Sequence, residues 1–128
     1  MKIVLKPEAY GKFEDPQSNV KYEYQVTHSR FYRTRFVSFK INGIRVEIAK
    51  SKVLDRDETT TVAMHSGGFF SEKTISYKTD DTKDLPEPLK AEVEKALTLL
   101  EERRVEKAKQ KEAQRKKIEG IFLQQIGV

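Results

Sequence analysis

A chain of 128 residues with no cysteine is about one domain's worth of polypeptide, and it excludes a disulfide framework, a thiolate zinc site and a cysteine nucleophile. Charged residues make up 35% of it and the net charge is +5, which admits an acidic partner without naming one. That charge is concentrated: Arg103 to Lys117 holds eight Lys or Arg against two Glu, and the rest of the chain sums to about minus one.

The chain opens with MKIVLKPEAYGKF. Lys2 and Lys6 flank only the apolar residues Ile3 to Leu5, too few for the apolar region of a signal peptide. No apolar run approaches the roughly 20 residues of a membrane span. The expectation is a cytoplasmic protein with no membrane contact.

Residues 20–26, VKYEYQV, alternate: Val20, Tyr22, Tyr24 and Val26 point one way and Lys21, Glu23 and Gln25 the other, the period of a half-buried strand. A polar turn, THSR, leads into a second strand, FYRTRFVSFKI. Asn42-Gly43 then gives a strong hairpin signal, because both residues accept the positive φ of a type I′ turn. IRVEIAK returns. The two-residue turn sets Ile41 opposite Ile44, Phe39 opposite Val46 and Val37 opposite Ile48. With Val26 opposite Phe31 across THSR, Tyr24 faces Arg33 and Tyr22 faces Arg35. Arg33 and Arg35 are therefore expected on the core-facing side, toward one end of the sheet.

Residues 52–58, KVLDRDE, read as a polar connection. TTTVAMH and FFSEKTISYK form a second hairpin turned by Ser66-Gly67-Gly68, with a loop of two or three residues. KTDDTKDLPEP reads as a linker. From Glu87 the pattern is helical, with prolines and acids suited to a helix start. Leu89, Val93, Ala96, Leu97 and Leu100 form one stripe to cover the sheet. Beyond Leu100 the same side carries Arg103, Arg104, Lys107, Lys111 and Arg115, until Ile118 and Phe122 return to it. The expected fold is α+β: residues 1–84 an antiparallel, mostly meandering sheet of about five strands, and residues 85–128 one long helix that packs on the sheet and extends beyond it, all in a single domain.

Three features point to binding. The stretch RFYRTRF mixes arginines, for phosphate or carboxylate, with aromatics, for stacking or anchoring; its bland alternative is cross-strand Tyr–Arg packing with guanidinium groups reaching water. The basic helical segment suits a phosphate backbone or an acidic protein, or is simply a solvated helix. The terminal IEGIFLQQIGV exposes Ile118, Ile121, Phe122 and Ile126, which call for a cover from the same chain, a second copy or another protein.

Catalysis finds little support. His28 sits in a turn, and His65 beside Ser66 is no triad, since adjacent strand residues point to opposite faces. No phosphate-binding or dinucleotide-binding glycine motif is present. Asp55, Asp57 and Glu58 read as a solvated turn before a metal cluster. No cofactor is implied.

The leading expectation is a non-enzymatic protein-interaction module or inhibitor, with a protein partner or a homo-oligomer formed through the C-terminal helix. Ile118, Ile121, Phe122 and Ile126 would be its anchors, with the basic stripe for steering. The alternative is a nucleic-acid binder in which Arg33, Arg35, Arg103, Arg104, Lys107, Lys111 and Arg115 meet phosphate and Tyr22, Tyr24 or Phe31 stacks on bases. A compact, charge-rich domain without enzyme motifs is also the style of accessory proteins that phages and mobile elements encode.

Overall fold

Alternating side chains give the chain one two-faced sheet, and the stripe on the helix covers one of its faces. The computed structural model describes residues 1–6, 11–68 and 70–125, with side chains as far as Ile121. Strands β1 (Lys12–Glu14), β2 (Lys21–His28), β3 (Tyr32–Ile41), β4 (Ile44–Val53), β5 (Thr59–Ser66) and β6 (Lys73–Lys78) pair antiparallel in the order β1-β2-β3-β4-β5-β6, a meander. A 3₁₀ turn, Thr82–Asp84, and one helix, α1 (Leu89–Gln125), complete it. No described helix is long and apolar enough to cross a membrane.

The sheet has six strands where the alternation shows about five. The extra one, β1, is the three-residue segment KFE, too short to display a period. Its pairing is nevertheless specific. Phe13 stacks on Tyr22 with ring centroids 5.0 Å apart, and Lys12–Glu23 and Glu14–Lys21 set opposite charges face to face.

The Asn42-Gly43 hairpin has the expected register, with φ of 50° and 81° at the turn and Ile41↔Ile44, Phe39↔Val46 and Val37↔Ile48 as partners. The β2–β3 register differs from the expectation by four residues: Tyr22 faces Phe39, Tyr24 faces Val37 and Val26 faces Arg35. An even shift keeps every side chain on its face. The reason is packing: this register lets both tyrosines meet apolar neighbours, where the expected one set them against arginines. It also extends β2 to His28 and moves the turn onto Ser29–Phe31. The β5–β6 connection is longer than two or three residues, because Ser66 pairs with Lys73.

The core lies between this face and α1. Tyr22, Tyr24, Val37, Phe39, Val46, Ile48 and Val62 from the sheet meet Leu89, Val93, Ala96, Leu97 and Leu100 from the helix. Ile3 and Leu5 join them, both almost fully buried. Ile3 N–H donates to Asp80 O at 2.8 Å, the Arg35 guanidinium donates to Leu5 O, and Tyr24 Oη donates to Lys6 O at 2.6 Å. The N-terminal segment is thus a strap, tied at the β6 end of the chain and crossing the sheet to β2 beside the helix. The linker ahead of α1 is equally tied down: Thr82 is buried, its N–H donates to Met1 O at 2.9 Å and its hydroxyl donates to Glu94 at 2.7 Å.

At about 1.5 Å per residue, the 37 residues of α1 span about 55 Å. The sheet covers only its first part. Among the described residues Leu100 is the last buried one, Arg103 and Arg104 are half-buried, and every side chain from Val105 to Ile121 is exposed. The helix leaves the body where Arg103 lies over the Phe13 ring of edge strand β1, 4.4 Å from its centroid.

Candidate binding surfaces

The first surface is the projecting part of α1. At about 100° per residue, the face centred on Val93, Leu97 and Leu100 continues outward as Arg103, Arg104, Lys107, Lys111, Gln114, Arg115, Ile118 and Ile121. About the direction shared by Lys107, Lys111 and Ile118, every acid from Glu101 to Glu119 lies about 100° or more away. The middle of this face is therefore free of carboxylates and continuous with the core stripe, and the acids occupy its flanks and the back. Leu97, Leu100, Arg104, Lys107, Lys111, Gln114, Ile118 and Ile121 also recur at alternating spacings of three and four residues, the seam of a helix that pairs with another helix.

These side chains differ in circumstance. Arg103 is occupied by Phe13, and its Nε is buried with no hydrogen-bond partner. Arg104 forms a forked pair with Glu101, at 3.1 Å from Nε and 2.6 Å from the terminal nitrogen, and this holds the Glu101 carboxyl below its ordinary range. Arg115 pairs with Glu112 at 2.8 Å, one turn back. Lys107 and Lys111 stand exposed along the seam, followed by Ile118 and Ile121. The Phe122 side chain and Ile126 lie outside the described residues.

The second surface is the end of the sheet where the β2–β3 and β4–β5 connections lie side by side. It is built around RFYRTRF. The Ser29 hydroxyl oxygen accepts from Phe31 N–H at 3.3 Å and Tyr32 N–H at 3.0 Å, and Leu54 N–H donates to Phe31 O at 3.0 Å. These bonds fix the turn and leave Phe31 57% exposed and Leu54 64% exposed, with Tyr32 and Val53 also facing water. Arg30, Phe31, Arg33, Lys52, Leu54 and Glu58 line a shallow depression of about 500 Å³.

The arginines of this stretch separate into two kinds. Arg35 is half-buried and spent on structure, bonded to Leu5 O and paired with Glu58 at 3.4 Å. Arg33 is exposed near the depression, and no ion pair engages it among the described residues. The aromatics separate too. Phe31 is presented, whereas Tyr22 and Tyr24 are core residues beneath α1 and the strap, so neither offers a ring to a base. Burial, with Asp15 and Glu92 nearby, pushes the Tyr22 hydroxyl up to about 12, and burial likewise raises that of Tyr24.

The sequence reading passed over Lys52, Val53 and Leu54, which it took for a plain polar connection. The one signal there was a Val-Leu pair inside KVLDRDE. Asp55 and Asp57 stay in that loop, and among the described residues no group of three or more His, Asp or Glu is placed to hold a metal ion. Comparison of the chain with protein-family models, curated proteins and solved structures finds no match.

Proposed function

We propose that the chain is a non-enzymatic binding protein that docks an acidic protein partner, an amphipathic helix, along the projecting part of α1. The observation that carries this reading is the acid-free face from Lys107 to Ile121, which continues the core stripe past the sheet edge and is exposed along its length. A helix that merely ends in solvent has no reason to sort its charges by face. This one places cations at the centre of a helix-pairing seam and apolar residues, Ile118 and Ile121, at its outer end. A partner helix with carboxylates opposite Lys107 and Lys111 and apolar residues opposite the two isoleucines meets both demands. A second copy meets them less well, because two such faces in parallel register set Arg104, Lys107 and Lys111 against their own equivalents.

The reading is tested with a synthetic helical peptide carrying Glu opposite the cationic centre and Leu opposite Ile118 and Ile121, alongside the same peptide with Lys for Glu. Fluorescence anisotropy should report micromolar binding of the acidic peptide alone. The Lys107→Glu/Lys111→Glu variant should lose about tenfold or more, and Ile118→Asp a similar amount. Equal binding of the two peptides, or preference of the same face for nucleic acid over the acidic peptide, would overturn the proposal.

A further inference from the structure

The end of the sheet holds two successive cross-strand rows that each carry two Lys or Arg, and the fold treats them differently. The inner row is Val26, Arg35 and Lys50, across β2, β3 and β4. Glu58 bridges its two cations, meeting Arg35 at 3.4 Å and Lys50 at 3.5 Å. The outer row is His28, Arg33 and Lys52. Directly paired strand residues share a face, and like charges set opposite one another destabilise a sheet. Among the described residues no carboxylate pairs with Arg33 or Lys52, nor with Arg30 at the neighbouring turn. Where the cations serve structure, the chain supplies an acid; at the outer row it supplies none.

Beside this row stands a fixed aromatic. Phe31 is held outward by the Ser29 turn, and Leu54 bonds to its carbonyl while standing at a φ of 47°, a region that leucine enters only against steric resistance. Cations and ring share one concave depression of about 500 Å³, which Glu58, paired with Arg35 and Lys50, also borders. The depression lies at the β2–β3 and β4–β5 connections, whereas the projecting helix leaves the body at the edge strand β1.

We infer that this sheet end is a second binding site, which takes single-stranded nucleic acid: Arg30, Arg33 and Lys52 hold phosphate and Phe31 stacks on a base. An anion relieves the uncompensated row, and an unstacked base is the ligand part that uses an exposed phenyl ring next to it, whose backbone is fixed and over which the Arg30 guanidinium lies 5.8 Å from the centroid. A duplex keeps its bases stacked and offers only the phosphate. An acidic peptide offers only the charge.

The test uses the full chain, a labelled eight-residue thymidine oligonucleotide, a blunt duplex and a polyglutamate peptide, at about 50 and 200 mM salt. The single strand should bind at micromolar concentration or tighter at the lower salt, ahead of the duplex and of polyglutamate. Phe31→Ala should weaken binding about tenfold. Arg33→Ala/Lys52→Ala should weaken it about tenfold or more and flatten the salt dependence, while the melting temperature holds or rises. Lys107→Glu/Lys111→Glu should stay within about threefold of the parent, since the site is elsewhere. That last variant keeps the outcome separate from the fate of the helix-docking proposal. Absence of binding at low salt, equal binding of polyglutamate, indifference to Phe31→Ala, collapse on charge reversal of the helix, or a lowered melting temperature in the Arg33/Lys52 variant would each overturn the assignment.

Discussion

Leu100 and Ile118 lie on the same face of the same helix, yet the structure gives them opposite circumstances. Leu100 is 3% exposed against the sheet and strap, and Ile118 is 60% exposed beyond the sheet edge. Truncating Leu100 to Ala removes buried methyl groups from a filled core, which costs about 3 kcal/mol within a general range of about 2–5. For a domain of this size each kcal/mol lowers the melting temperature by about 4 °C, so Leu100→Ala should melt about 12 °C below the parent. Ile118→Ala removes contacts that the folded chain alone does not make, and should change stability by less than about 0.5 kcal/mol. Urea and thermal unfolding followed by circular dichroism at low micromolar concentration measure both. A cost above about 1.5 kcal/mol for Ile118→Ala, independent of protein concentration, would mean that the helix end is covered by its own chain, and the division of α1 would be refuted.

The N-terminal strap makes its own prediction: Ile3→Ala should cost about 2–4 kcal/mol although it changes a residue near the end of the chain, and a change below about 0.5 would detach the strap from the core. Tyr22 carries a pH signature. Its hydroxyl is raised to about 12 by burial, above the ordinary value near 10, so the folded state binds the proton more tightly and stability falls as pH rises from about 10 through about 12. Tyr22→Phe should flatten that alkaline limb in an unfolding series, and an unchanged limb would assign it to other groups. Asp15 works in the opposite sense. Hydrogen bonds from the Ser18 hydroxyl and Gln17 N–H hold its carboxyl below the ordinary range. Its contribution is therefore complete above the ordinary carboxyl range and lost as pH falls through the lowered value. Asp15→Asn should reduce stability at neutral pH and weaken its dependence on acid, and an unchanged acid limb would count against this role.

Much of the fold was legible because it rests on period and turn chemistry. Alternation placed β2 to β4, Asn42-Gly43 fixed one register, and the stripe from Leu89 to Leu100 named the buried side of the helix. The misses share a cause: they depend on partners distant in sequence. β1 is recognisable only when Phe13 stacks on Tyr22, and Ile3 and Leu5 only when the linker and β3 supply donors and acceptors for a short apolar segment. The β2–β3 register followed from Val37 and Phe39 being better neighbours for tyrosine than arginine is, a comparison that needs both strands in place. The surfaces divide in the same way. The shared side of the basic and apolar residues of α1 was legible from helical spacing, but that this side stays exposed beyond Leu100 depends on the helix being continuous past the sheet edge. Within RFYRTRF, sequence gave no means of separating Arg35, matched by Glu58, from Arg33, which is not, because Glu58 comes from a different connection.

The most direct test of the account is hydrogen–deuterium exchange across α1, measured on the full chain with and without the acidic helical peptide. In the chain alone, amides of residues 93–100 should exchange slowly, at rates set by global unfolding, and those of residues 105–121 orders of magnitude faster, as in a helix held only by its own hydrogen bonds. Addition of the peptide should slow the second group and leave the first unchanged. Equal protection of both segments before any peptide is added, or no change in residues 105–121 at saturating peptide, would contradict the claim that the projecting helix is an open surface awaiting an acidic partner.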